Sequence, residues 1–116
     1  MVKASTTGVP EDDTDRLALP AVQPVGTLQQ VLAALADPVR LEMVRRLAEA
    51  GEPIACGQLY AGINKSTASH HFKILREAGL TERVVIGGQT HQLLRTREVE
   101  ESLPGVLTAV VAAAGR

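Results

Sequence analysis

Apolar residues recur along this chain with two different periods. Leu28, Val31, Leu32 and Leu35 repeat at helical spacing, as do Val39, Leu41, Val44 and Leu47 and, further on, Ala68, Phe72 and Leu75. From residue 84 the pattern changes to Val84-Val85-Ile86, then Gly87-Gly88, then Gln89-Thr90-His91-Gln92-Leu93-Leu94, which predicts a β-hairpin closed by a two-residue turn. Val99 and Leu103 belong to a further helical region, and Pro104-Gly105 breaks it before Val106, Leu107, Val110 and Val111. The predicted class is mainly α with a small β-hairpin, that is, α+β.

Boundary residues sharpen these elements. Asp37 can cap a helix whose first position is Pro38, and Gly51 followed by Pro53 stops it. A short helix is expected over about residues 55 to 61, carrying Leu59 and Tyr60, and Thr96 is expected to cap the helical region after the hairpin. Between the short helix and the next, Ala61-Gly62-Ile63-Asn64 offers a sharp bend at Gly62 and a cap at Asn64. Two helices joined this way are a helix-turn-helix.

The second of them carries the chemistry. With Ala68, Phe72 and Leu75 turned to a core, Ser66, Thr67, Ser69, His70 and Lys73 point outward. A plain solvated face would be built from Glu and Lys. Hydroxyls, imidazole and an amine near a helix N-terminus suit base edges and phosphates instead, so this segment reads as a DNA recognition helix. Gln58 and Lys65 are candidate phosphate contacts. The hairpin that follows is a wing in this reading, with Arg83, Gln89, His91 and Arg95 as its contacts; the other reading is a hairpin that only covers the core. For His70 and His71 the alternative is a ring packed beside Phe72 with local hydrogen bonds.

Composition bounds the rest. With 116 residues, 45% apolar and 22% charged, the chain is one domain, expected over residues 26–114 behind an arm of residues 1–25 rich in Thr, Pro, Gly and Asp. A net charge of −1 conceals a split: between residues 64 and 97, Lys65, Lys73, Arg76, Arg83, Arg95 and Arg97 outweigh Glu77 and Glu82 by four. In the first 25 residues Glu11, Asp12, Asp13 and Asp15 outweigh Lys3 and Arg16 by two, a hydrated acidic tail or a partner site. Near-neutral charge overall is therefore compatible with a nucleic-acid partner.

Cys56 is the only cysteine, so no intrachain disulfide forms, as suits a reducing cytosol. The longest apolar run, Val106 to Ala114, is interrupted by Thr108 and is about half a membrane span, so a cytoplasmic protein without a membrane partner is expected. The apolar terminal helices exceed what a domain of this size needs. A two-fold dimer through the first and last helices would bury Leu28, Val31, Leu32 and Leu35 with Leu103, Val106, Leu107, Val110 and Val111; a self-contained monomer core is the other reading.

Three blocks in order, Ala34-Leu35-Ala36-Asp37-Pro38-Val39-Arg40-Leu41, Ser66 through Leu80, and the Gly-Gly hairpin, resemble the ArsR/SmtB family of bacterial winged-helix repressors over about residues 27 to 112. The resemblance implies a homodimer joined through its first and last helices that binds an imperfect inverted repeat in a promoter and responds to a signal. It also implies that Ser66, Thr67, Ser69, His70 and Lys73 face DNA.

The sensing half of the family pattern departs. Where many relatives carry Cys-x-Cys before the turn, this chain reads Pro53-Ile54-Ala55-Cys56-Gly57-Gln58-Leu59. The last helical region offers Arg97, Glu98, Glu100 and Glu101 without a histidine. No cofactor is required on this reading. What remains is weak nickel or zinc binding through His70, His71 or His91, or a redox role for Cys56, which as a lone small residue also reads as core filler. A sequence-specific regulator leads; the alternative is an interaction module or co-regulator-dependent regulator whose signal comes from a partner protein. No catalytic constellation is present in the sequence, and no enzyme is expected.

Overall fold

The computed structural model describes residues 22–115. The acidic run expected to solvate the arm, Glu11 to Asp15, lies outside them. In chain order the elements are α1 (Leu28–Leu35), α2 (Pro38–Ala50), β1 (Ile54–Ala55), α3 (Cys56–Leu59), α4 (Lys65–Glu77), β2 (Thr81–Ile86), β3 (Gln89–Leu94), α5 (Thr96–Ser102) and α6 (Val106–Ala114).

Local chemistry starts the first helices. Thr27 Oγ1 accepts the Gln30 N–H at 3.2 Å while Gln30 Oε1 accepts the Thr27 N–H at 2.8 Å, a reciprocal capping box that opens α1. Asp37 Oδ2 accepts from the Val39 and Arg40 N–H groups at 2.8 and 3.0 Å, Pro38 occupies the first helical position, and α2 ends at Gly51, as its sequence predicts. Those bonds, the Arg40 N–H foremost, hold the Asp37 carboxyl below its usual range.

Three antiparallel strands form a sheet in the order β1-β3-β2. Ile86 pairs with Gln89 across Gly87 and Gly88, whose φ values of 57° and 79° match the type I′ turn that the right-handed twist of a hairpin favours. β1 is not legible from periodicity. Its two residues pair with Gln92 and His91, and this pairing shortens the expected helix over 55–61 to the single turn of α3.

The core forms where α1, α2 and α4 converge over α6 and the sheet, with Val31, Val44, Leu75, Leu80, Val99 and Leu107 each at most 2% exposed. Tyr60 and Phe72 add a tilted aromatic pair at 6.3 Å. This arrangement corrects part of the expected dimer face. Val31, Leu35 and Leu107 are 0%, 4% and 2% exposed within the single chain, so they belong to its own core. The apolar stripe of α1 is wide enough to split: its Val31 and Leu35 row is buried, and Leu28 and Leu32, 45% and 44% exposed, lie to the side. Leu103, Val106, Val110 and Val111 are half-buried.

The chain leaves α4 through a Schellman motif. Leu80 N–H bonds the Leu75 carbonyl at 3.0 Å and Gly79 N–H bonds that of Arg76 at 2.9 Å, with Gly79 at φ 78°. Residues 22–25, expected in the arm, run beside this corner: Gly26 N–H donates to the Ala78 carbonyl at 2.9 Å and half-buried Val25 packs on the core.

Thr96 does not cap α5. Arg95 occupies the N-cap position without a side-chain cap bond. The start of α6 is instead served from α5: Glu100 accepts from the Gly105 N–H at 2.8 Å and from the Thr108 N–H and hydroxyl at 3.0 and 2.9 Å. These donors, Gly105 first, hold Glu100 below the ordinary value of 4.5. A depressed carboxylate stabilises the fold above its unfolded value and loses that contribution as pH falls through the folded one. Thermal melting of Glu100→Ala is therefore expected to be lower than wild type at neutral pH, with the gap closing below about pH 4.5. A gap unchanged down to about pH 3 would show that the carboxylate charge is not what holds α6.

Candidate nucleic-acid interface

α4 is built to be presented. Asn64 Oδ1 accepts from the Ser66 N–H at 2.8 Å, the Thr67 N–H at 3.4 Å and the Ser66 hydroxyl at 2.6 Å, so the first turn is capped at the residue its sequence nominates. The Arg46 guanidinium donates to the Gln58 and Leu59 carbonyls at 3.2 to 3.3 Å and ties α3 to α2. The helix-turn-helix is thus anchored from behind.

One face of α4, Ala68, His71, Phe72 and Leu75, is buried. Lys65, Ser66, Thr67, Ser69, His70 and Lys73 are all exposed, and Gln58 is exposed on α3. Lys73 is the cation among them with a carboxylate nearby, Glu77 at 3.8 Å, in a solvent-exposed pair of small energetic weight. The result is a surface of hydroxyls, an imidazole and two amines around a helix N-terminus, where backbone N–H groups add a partial positive charge. His71, left open in the sequence, is turned inward at 8% exposure, its Nδ1 3.1 Å from the Arg40 guanidinium.

The wing residues divide by strand alternation. Gln92 is buried, and its cross-strand partner Arg83 lies on the same inward face, half-buried and with Nε unpartnered. Gln89 and His91 lie on the opposite face, with Gln89 exposed and His91 half-buried. His91 Nδ1 is 3.0 Å from the Gln89 carbonyl, which can only accept, so that nitrogen donates.

Arg95 is corrected outright. Expected at the wing's polar edge, it is 8% exposed and donates to the Gln23 and Gly79 carbonyls at 2.5 and 3.0 Å. Its position at the end of β3 points it at the Schellman corner, where it serves orphan carbonyls rather than phosphates. Arg76, beside Arg83, is held below the ordinary arginine range by burial first and by the like charge of Arg83 second, and stays charged.

Among the described residues no group of three or more His, Cys, Asp or Glu comes together. Cys56 is half-buried, with the Gln92 amide donating to its Sγ at 3.6 Å. The His70 and His71 ring centroids are 6.0 Å apart with planes 52° from parallel, and Glu100 is taken up by the α6 cap.

Over 80 residues, 67% of its length, the chain is 40% identical to the uncharacterized HTH-type transcriptional regulator YceK of Bacillus subtilis (strain 168), of which it covers 80%. The chain belongs to the HTH-type transcriptional regulators. The family described as Helix-turn-helix domain matches residues 35–84 of this regulator, from the end of α1 into the wing. Its fold is similar to the crystal structure of the transcriptional repressor BigR from Xylella fastidiosa, with a TM-score of 0.57 and 26% identity over 74% of this chain and 84% of that one. It is also similar to an ArsR-like transcriptional regulator from Rhodococcus sp. RHA1, with a TM-score of 0.56 and 21% identity over 76% and 78%. These relatives are transcriptional regulators rather than enzymes. Among the described residues, no helix of this regulator is long and apolar enough to cross a membrane.

Proposed function

We propose that this regulator is of the ArsR type, a homodimer that binds an inverted-repeat promoter site and controls transcription by occupying it. The observation that carries the reading is the division of α4: Ser66, Thr67, Ser69, His70 and Lys73 share the exposed side while Ala68, Phe72 and Leu75 seat the helix in the core. The three sequence blocks support the ArsR assignment, and the likeness to BigR, a transcriptional repressor, supports control by occupying the site. Exposed Leu28 and Leu32, with the half-buried row of Val106 and Val110, supply an apolar surface for the second copy. Gln89 and His91 on the wing and Gln58 and Lys65 around the turn are its phosphate contacts; the half-buried Arg83 supports the wing from within. In this reading the regulator works without either of the family's metal sites and takes its signal elsewhere.

The test is selection of duplexes from a randomised pool by the purified protein, followed by titration of the winner. An enriched inverted repeat is expected, with half-sites about one helical turn, roughly 34 Å, apart. Affinity should fall on the order of a thousandfold between about 50 and about 200 mM salt, as for a protein with six or more phosphate contacts. A chain that enriches no duplex would move the reading to a protein-interaction module.

A further inference from the structure

Arg40 joins three helices. Its backbone N–H is held by Asp37 Oδ2 at 3.0 Å, its Nε donates to the Ala34 carbonyl at the end of α1 at 2.6 Å, and its Nη1 lies 3.1 Å from His71 Nδ1 on α4. A guanidinium has hydrogens to give and no lone pair. The third contact is therefore a hydrogen bond only when His71 is neutral, with its proton on Nε2. Two of the Arg40 contacts fix it to α1 and α2, so the imidazole it reaches marks the rotation and depth of α4. One residue before and two after His71 come His70 and Lys73 of the exposed face, and rotation about the axis carries them together with it.

We propose, resting on the reading of α4 as the DNA-recognising helix, that Arg40 and His71 are positioning residues for recognition that act only while His71 is neutral. A proton on Nδ1 turns an acceptor into a donor and sets it against a guanidinium. Asp37 Oδ2 lies 3.9 Å away and is committed to the α2 cap. The charged groups around His71 are thus Arg40 and Asp37 on α2 and His70 beside it on α4, ring centroids 6.0 Å apart. α1 has no charged residue; on β2, Glu82 makes no ion pair with His71 and Arg83 faces Arg76. Protonation of His71 thus releases the helix that reads sequence.

The test compares wild type, His71→Asn and His71→Leu, full length, on the selected duplex and on an unrelated one. Asn Oδ1 stands where Nδ1 does, accepts from Arg40 and does not titrate. From about pH 8 to about pH 5.5, the span over which histidines change charge, the wild-type ratio of specific to non-specific affinity is expected to fall. The fall should be roughly tenfold, the scale of a part-buried donor left without its acceptor. His71→Asn should hold the ratio flat, and His71→Leu should show the low ratio already at pH 8. His70 and His91 are present in all three proteins and cancel in the comparison, and circular dichroism at each pH verifies that the helices persist. Equal pH slopes in wild type and His71→Asn overturn the inference alone, whether or not His71→Leu folds. A protein that enriches no duplex overturns the recognition reading and this inference with it.

Discussion

Alanine at Ser69 or at His70 is expected to remove most of the sequence preference of DNA binding, by roughly five- to a hundredfold on the selected duplex, corresponding to about 1–3 kcal/mol for a lost base contact. Both side chains are exposed on α4, and neither contributes to the buried row of Ala68, His71, Phe72 and Leu75, so the fold should be unaffected. Lys73→Ala provides the contrast. An amine that meets phosphate should, when removed, weaken specific and unrelated duplexes alike and lower the salt slope by about one. The measurement is a matched titration of each variant on both duplexes at two salt concentrations. Full discrimination retained in both Ser69→Ala and His70→Ala would take base reading away from this face of α4.

Gly79→Ala, at the buried corner that follows α4, should be the most destabilising of the glycine exchanges, costing about 3 kcal/mol or more. At φ 78° an L side chain alone costs about 1–2 kcal/mol. The added Cβ would also stand 2.4 Å from the Pro24 carbonyl oxygen and 2.6 Å from Val25 Cα. Both are backbone atoms, so no rotamer change relieves the contact; the strap of residues 23–26 must lift. Lifting it would release the Gly26 bond to Ala78 and the Arg95 bond to Gln23 together. For a domain of this size the thermal midpoint should drop by about 10 °C or more. A drop of only a few degrees would mean that the turn conformation is strained but the strap is not held there.

Both predictions concern the two ends of α4, and those ends were unequally visible in the sequence. Asn64 announces the start because a cap is a bond to residues two and three positions away. Gly79 announces a stop, but its contact with Pro24 and Val25 spans more than fifty residues of chain, and nothing local encodes it. Thr27 and Gln30 form a capping box whose Thr-x-x-Gln spacing is as local as the Asn64 cap. Glu100 gave no such signal, because it caps a helix in a different element.

The order of the helices, the α2 and α4 caps, the Gly-Gly turn and the polar face of α4 are legible in the sequence, because each rests on interactions within a few residues or on a period of one element. Which apolar row of α1 is buried, that Ile54 and Ala55 join the sheet, that Arg95 turns inward to carbonyls and that Arg40 reaches His71 depend on contacts between distant segments. The physical reason is the same in each case. A period marks a face without naming what packs on it, and a charged side chain's role is decided by the acceptors that distant segments bring within hydrogen-bond reach.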